Sequence, residues 1–406
     1  MSSRLKYSVV SVSTCLTVLL LVGSVLGKGA SSQEDTLKHI GVFSDVVAHI
    51  KTDYVEEPDM KAVTLGALNG MLEAIDPFAS YLNAEQYRSY LENQKAPKGG
   101  DVGLILAKRS GLLGVMGVVA AVPGSPAAKA GLSTNDMVES IKGVATRDMP
   151  LAYAGMLLQG EPGTTVELTV VRARQAEPQP VKLVRVRLTP PPVTSSVLPG
   201  QVGYINIDAL GPAQVKDAAE AVRKLQKEGA RKLILDLRNC AGGAPEDGIA
   251  LANLFLNKGL ITYLEGQKYT RQNFEADPAK AVTDLPLAVL TNRGTASGAE
   301  IAAAALQDGK RAQLVGEPTY GDAALRKPLP MDDGGAIILS VAKYHSPSGQ
   351  TIQDTRVTPA TIVAEPEPQV EYDENGEPLP QAQATVTEEQ KSTNDPVVKK
   401  ALEVLK

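Results

Sequence analysis

The pattern that most constrains the fold is an alternation of short apolar runs with helix-length segments between residues 190 and 363. The apolar run 233–235 ends in the glycine turn 236–243, as a buried strand does, and residues 203–207 are a second strand candidate. Helical segments separate such runs, at 213–227 and 246–256. The sequence therefore predicts an α/β core with a mixed sheet.

The rest of the chain divides by composition, and 406 residues leave room for roughly two to three domains. Residues 98–189 are rich in Val and Gly, with strand patterns at 115–122 and 166–172. The spacing of apolar residues predicts helices at 37–50, 61–74 and 84–94. The predicted order is a signal peptide or membrane anchor (1–28), an N-terminal helical region (29–97), a strand-rich domain (98–189), the α/β core (190–363), an acidic Pro-rich linker (364–394) and a C-terminal helix (395–406).

The N-terminus has the composition of an export signal. Arg4 and Lys6 precede an uncharged stretch, residues 8–27, which matches a secretory signal and is also long enough to anchor the chain in a bilayer. We expect an exported protein, in the periplasm or on the outer face of the inner membrane, with the signal either cleaved or retained. Cys15 lies in this stretch, so Cys240 is left without a disulfide partner.

Composition argues against several functions. A net charge of −5 and an aromatic content of 4% disfavour nucleic acid as a partner. His39, His49 and His345 are isolated from one another and show no metal-ligand spacing, and no phosphate-binding glycine loop occurs. We expect no metal and no cofactor. Cys240 is expected to be a small buried residue rather than a nucleophile.

Ser297 is a candidate nucleophile because of its neighbours. It lies between Ala296 and Gly298, directly before an alanine-rich helical run at 299–308. Free N–H groups at a helix N-terminus gather positive potential, which suits an attacking oxygen and a developing oxyanion. The alternative is that Ser297 only caps the helix, a common role for serine.

Several segments in series carry a family resemblance. The turn 236–243, the segment 294–300, the phrase 315–321 and the segment 342–353 occur in the order found in the carboxyl-terminal processing peptidases, which they resemble. These are tail-specific serine proteases of bacterial envelopes and thylakoid lumens. The resemblance begins at about residue 35 and is interrupted by the linker 364–394. It implies a serine endopeptidase that cuts envelope proteins near their C-termini, with Ser297 as the nucleophile and the N–H groups of Gly243 and Gly298 as the oxyanion hole.

The sequence departs from this family at the general base, which in the family is a lysine. The lysine position, 25 residues after Ser297, is Asp322, and the position of the glutamine that orients the lysine is Arg326. An aspartic acid has a reference pKa of about 3.9, roughly three units below a base tuned to neutral pH. We therefore expect Asp322 and Arg326 to form an ion pair in place of the catalytic dyad.

Other residues are candidates for a substitute base. Lys327 lies next to Arg326, and its ammonium group is expected to be exposed to solvent. Lys343 lies in a phrase that the family shares. His345 could form a Ser/His/Asp arrangement with Ser297 and Asp322, although its alternating strand favours a half-buried surface histidine.

Residues 98–189 resemble a PDZ domain. The resemblance is carried by phrases at 124–127, 130–132, 135–136 and 160–164. Such a domain adds an extended peptide to its sheet and holds the terminal carboxylate in a glycine loop. That loop corresponds to Gly100, Asp101, Val102, Gly103 and Leu104, with Asp101 at a position where the family usually has glycine. Asp101 either opposes a bound carboxylate or points to solvent.

Two functions are therefore expected from the sequence. The first is a peptide-binding pseudoprotease or adaptor with impaired hydrolysis, whose partners are protein or peptide C-termini and a paralogous protease or adaptor. The alternative is an active serine endopeptidase that uses a substitute base.

Overall fold

The computed structural model describes residues 37–108, 115–147, 149–172, 177–365 and 394–406. The predicted signal peptide and all but the ends of the predicted linker lie outside these residues. Across the part of the chain that is described, no helix combines the length and the apolar character needed to cross a bilayer.

The helices, in chain order, are α1 (37–53), α2 (Met60–Glu73), α3 (Ala84–Lys95), α4 (Pro126–Lys129), α5 (Leu151–Leu158), α6 (Pro212–Lys227), α7 (Pro245–Asn253), α8 (Gly298–Asp308), α9 (Ile352–Thr355) and α10 (Pro396–Val404). The strands are β1 (Ser80–Leu82), β2 (Leu104–Lys108), β3 (Met116–Ala121), β4 (Met137–Ile141), β5 (Val144–Ala145), β6 (Thr165–Val171), β7 (Gln179–Val184), β8 (Thr194–Leu198), β9 (Val202–Asn206), β10 (Lys232–Asp236), β11 (Leu260–Gly266), β12 (Tyr269–Glu275), β13 (Leu287–Thr291), β14 (Ala312–Gly316), β15 (Ala324–Pro330), β16 (Ala336–His345) and β17 (Thr361–Ile362).

The chain forms two compact units, divided after Ala67. The described part of the first unit is helical: it holds α1 and the first half of α2. Leu37, Ile40 and Phe43 on α1 are exposed.

The core of the second unit is a six-stranded mixed sheet in the order β17-β14-β13-β10-β9-β8. All neighbours are parallel except β8, which is antiparallel to β9. Both faces are covered: Leu233 and Leu235 of β10 pack in one cluster with α6 and α8, and Ile234 packs on the other face with α10. Burial on both faces is why β10 reads as an unbroken apolar run. The predicted α/β core with a mixed sheet is confirmed.

A second sheet was not predicted. It is antiparallel, in the order β1-β16-β11-β12, with β15 also paired to β16. The sequence predicted only the helices at 61–74 and 84–94 in this region, but β1 lies between α2 and α3 and pairs with β16 through Ser80 and Ile338. Both helices are present, and the strand between them was missed because β1 has only three residues and depends on a partner distant in sequence.

Residues 98–189 form a separate sheet in the order β2-β3-β4-β6-β7, with β5 on β4. Val118, Ile141 and Leu168 lie in its apolar core together with residues of α5. β2 is an edge strand, and α5 packs beside it. An edge strand next to a helix is the arrangement in which a PDZ domain accepts a peptide strand.

Candidate active site

The candidate residues lie where parallel strands of the central sheet end. The loops after β10, β13 and β14 run through 236–243, 291–297 and 316–322. Because these strands are parallel neighbours, their carboxyl ends meet at one edge of the sheet, which is the usual binding edge of α/β folds.

Ser297 has a strained backbone. Its φ is 58° and its ψ is −123°, whereas a non-glycine residue seldom has a positive φ. Such a conformation costs roughly 1–3 kcal/mol and persists only where the surroundings hold it. The side chain is half-buried, and its Oγ donates to the carbonyl of Gly243 at 3.1 Å. Ser297 therefore lies directly before α8 on a tight turn, and its half-buried hydroxyl is directed at the neighbouring loop.

The strain is supported by a network between the loops. Thr295 Oγ1 donates to the carbonyl of Leu237 at 2.8 Å, and the N–H of Tyr320 donates to the carbonyl of Thr295 at 2.9 Å. Asn292 Oδ1 accepts from the N–H of Asn239 at 2.9 Å. Sequence reasoning assigned no role to Asn292, and it named Thr295 only as part of the serine motif.

Glu300 connects the serine to the next loop. Its carboxylate is fully buried and accepts four hydrogen bonds, from the N–H of Ser297 at 3.0 Å, Thr319 Oγ1 at 2.5 Å, the N–H of Gly321 at 2.6 Å and the N–H of Asp322 at 2.7 Å. Burial raises the pKa of Glu300 to about 7, against the opposing effect of these donors. Sequence reasoning missed this role, although the Ser297–Glu300 spacing is that of a capping box.

Asp322 and Arg326 form the ion pair that the sequence predicts. Arg326 Nη2 lies 2.5 Å from Asp322 Oδ1, and each side chain is 25% exposed. The guanidinium also lies over the ring of Phe78, 4.2 Å from its centroid, and donates to Gln353 Oε1 at 3.3 Å. Gln353 in turn donates to Asp76, at the turn after α2. The pair is thus part of a network that connects β15 to the N-terminal side of the unit.

The two glycines expected to form an oxyanion hole lie beside Ser297. Gly243 has a φ of 81°, and Gly298 is the first residue of α8. A Cβ on Gly298 would come within 2.7 Å of the carbonyl of Ala244, so the turn excludes a side chain there. Within the described residues, neither N–H donates a hydrogen bond.

The substitute bases have other contacts. Lys327 Nζ lies 5.0 Å from the ring centroid of Tyr269, and Lys343 lies opposite Glu265 in the β11–β16 pair. His345 stacks on Tyr263 with ring centroids 4.6 Å apart. Within the described residues, the hydroxyl of Ser297 has no hydrogen bond to any of these three.

Cys240 is a buried free thiol, fully shielded from solvent in the loop after β10. Burial raises its pKa far above the ordinary range, so no thiolate is available at neutral pH. The described residues hold no group of His, Cys, Asp and Glu that could bind a metal ion.

The candidate peptide loop precedes β2. Gly100 is bridged to Gly160 through hydrogen bonds in both directions, and Asp101 is bonded in the same way to Val186. The carboxylate of Asp101 turns back and accepts from the N–H of Gly103 at 2.8 Å. Asp101 therefore does not simply point to solvent.

Comparison with known proteins agrees with this fold. The model of peptidase family S41 matches residues 201–363, and a PDZ domain model matches residues 117–172. The chain is 31% identical to the carboxy-terminal-processing protease of Bartonella bacilliformis, over 84% of this chain and 78% of that one. It is 35% identical to the carboxyl-terminal-processing protease of Synechocystis, over 78% of this chain and 75% of the other. A solved structure, a photosystem II D1 C-terminal processing protease, matches with a TM-score of 0.65 and 28% identity, covering 79% of this chain and 86% of that one.

The fold is that of the family S41 peptidases, with a PDZ domain in the same chain. The chain belongs to the carboxyl-terminal processing protease family.

Proposed function

We propose that this member binds peptides at protein C-termini but hydrolyses them poorly, and that it works as a peptide-binding pseudoprotease or adaptor. The observation that carries the proposal is the contact between Asp322 and Arg326. A serine hydroxyl needs a neighbouring base to accept its proton, and the carboxylate that follows the serine motif is bound to a guanidinium at 2.5 Å. The hydroxyl of Ser297 donates instead to a backbone carbonyl, which is no base.

A second function has one observation in its favour. Ser297 keeps a strained backbone, and two glycines beside it keep free N–H groups. Backbone strain of this kind is concentrated at functional sites. The alternative is therefore an active serine endopeptidase with a substitute base.

A serine-directed fluorophosphonate probe separates the two functions. We expect wild type to label no faster than Ser297→Ala. The double variant Asp322→Lys/Arg326→Gln restores an amine and a neutral partner, and we expect labelling at least tenfold faster, since general-base catalysis contributes about 10²–10⁴-fold.

The matched control is Asp322→Asn/Arg326→Gln, which removes the ion pair without supplying a base and should stay at background. Cleavage of an unfolded protein by wild type that is lost in Ser297→Ala would establish the alternative and refute the proposal.

We also propose that the protein is exported, with residues 8–27 as its signal or anchor, and that a paralogous protease is a second partner. The composition of that stretch supports export. The impaired hydrolysis proposed above supports the second partner, because an active protease would then have to cut the bound C-termini. Cell fractionation and N-terminal sequencing test the first part, and recovery in the cytoplasm would contradict it. Co-purification with the protease tests the second, and its absence after cross-linking would contradict it.

A further inference from the structure

In the glycine loop before β2, the side-chain carboxylate of Asp101 is hydrogen-bonded to the loop's own backbone. Asp101 Oδ1 accepts the N–H of Gly103 at 2.8 Å. In a loop that captures a peptide terminus, such N–H groups point at the terminal carboxylate. The described structure thus places a fixed negative charge on one of the donors that a terminal carboxylate would need.

The backbone holds the side chain of Asp101 in this place. Its N–H and carbonyl are both hydrogen-bonded to Val186, at 2.9 and 3.0 Å. Gly103 has a φ of 73°, and a Cβ there would come within 2.3 Å of Ser125. The loop therefore has little freedom to turn its N–H groups elsewhere.

A nearby cation does not offset this charge by direct contact. Arg185 interacts electrostatically with Asp101. Its guanidinium, however, donates to the carbonyls of Leu157 and Leu158 at 2.7 and 3.0 Å, at the end of α5. Within the described residues, no salt bridge reaches Asp101.

The rest of the peptide groove is intact. Among the described strands, β2 is at the edge of its sheet and pairs only with β3, and α5 packs beside it. Leu104 and Leu158 contribute to the apolar cluster between these two elements. Strand addition and apolar side-chain contacts do not need a terminal carboxylate.

We propose that Asp101 is a specificity-determining residue that cancels the preference of this domain for a free C-terminal carboxylate. The groove then takes extended apolar segments by strand addition whether or not they end in a free acid. The inference rests on the peptide-binding function proposed above and narrows its ligand class.

Two fluorescein-labelled peptides test the proposal by fluorescence anisotropy. Both end in alanine, valine and alanine, one with a free carboxylate and one with an amide. We expect wild type to bind the two with Kd values within about threefold of each other, and Asp101→Ala to bind the free acid about tenfold more tightly with the amide unchanged, as for one restored charge-assisted hydrogen bond. Asp101→Asn keeps an acceptor for the N–H of Gly103 and removes only the charge, so its affinity for the free acid should rise less than that of Asp101→Ala.

A direct measurement does not depend on any peptide. The Gly103 amide should exchange slowly with deuterium in wild type and faster in Asp101→Ala. The inference would be overturned if wild type bound the free acid about tenfold or more tightly than the amide. It would also be overturned if Asp101→Ala raised the affinity for both peptides equally. Failure of every variant to bind either peptide would refute the proposed peptide-binding function itself.

Discussion

The Glu300 carboxylate fixes the relative positions of the serine turn and the Asp322 loop. It accepts from the N–H groups of Ser297 and Asp322, which belong to different loops. Three of its four partners are backbone N–H groups, which can only donate, so the ionised form fits their arrangement. Burial acts in the opposite direction and raises its pKa to about 7.

The effect of burial on Glu300 predicts that the free energy of unfolding depends on pH. The pKa of Glu300 is higher in the folded chain, about 7, than its ordinary value of 4.5, so its contribution is fully present below about pH 4.5 and is lost as the pH rises through about 7. The free energy of unfolding of wild type, relative to Glu300→Gln, should fall by about 3 kcal/mol over that range. Urea denaturation at a series of pH values measures it. A difference that does not change with pH would mean that Glu300 stays ionised throughout.

Local motifs predicted some residues of the site and could not predict others. Ser297 and Asp322 follow from a motif and a fixed spacing, and the charges at 322 and 326 predicted their ion pair. Three of the four partners of Glu300 lie 19 to 22 residues away, so their hydrogen bonds depend on how β13 and β14 are placed side by side. The sequence left open whether Asp101 opposes a bound carboxylate or points to solvent, because its bond to the N–H of Gly103 depends on the conformation of the loop.

At the scale of elements, those with a local sequence pattern were again predicted and those that depend on a distant partner were not. Predicted helices agree with the structure to within a few residues, as α2 (Met60–Glu73) does with 61–74 and α6 (Pro212–Lys227) with 213–227. β1 could not be predicted, since a buried three-residue strand has no period of its own. It is held by β16 and by Tyr81, whose hydroxyl donates to Asp333 at 2.5 Å across 252 residues.

The contact between α7 and α8 gives a prediction at this scale. A Cβ on Gly248 would lie 2.0 Å from the carbonyl oxygen of Gly298, which is backbone and cannot turn aside. We expect Gly248→Ala to destabilise the protein by about 2–3 kcal/mol, as overpacked cores do, because the helices must separate next to Ser297. Thermal unfolding measures the change.

Gly155 is the control for this substitution, because it also lies in a helix, α5, but a Cβ there meets no atom within 4 Å. Gly155→Ala should be neutral or stabilising by up to about 1 kcal/mol. Equal effects at the two positions would show that helix propensity, and not the α7–α8 contact, determines the result.

At the scale of the whole molecule, Arg238 joins parts of the chain that are far apart in sequence. Its guanidinium lies 2.6 Å from Asp236, 2.9 Å from Glu365 and 2.7 Å from Asp395. Glu365 and Asp395 are close to the two ends of the segment 366–393, so one side chain holds both ends against the loop after β10. α10 then packs on the central sheet through Val397 and Ala401.

Replacing Arg238 should therefore release α10 as well as weaken the core. In Arg238→Met the carboxylate of Asp236, which is 2% exposed, loses its cation, and breaking a buried pair in this way costs about 3–5 kcal/mol. The control Lys224→Met removes an exposed cation that lies 3.9 Å from Glu228, and it should change stability by less than about 0.5 kcal/mol. Hydrogen exchange of the α10 amides should become faster in Arg238→Met before the central strands exchange. If α10 and β10 instead lose protection together, Arg238 stabilises the unit as a whole and has no separate hold on the C-terminal helix.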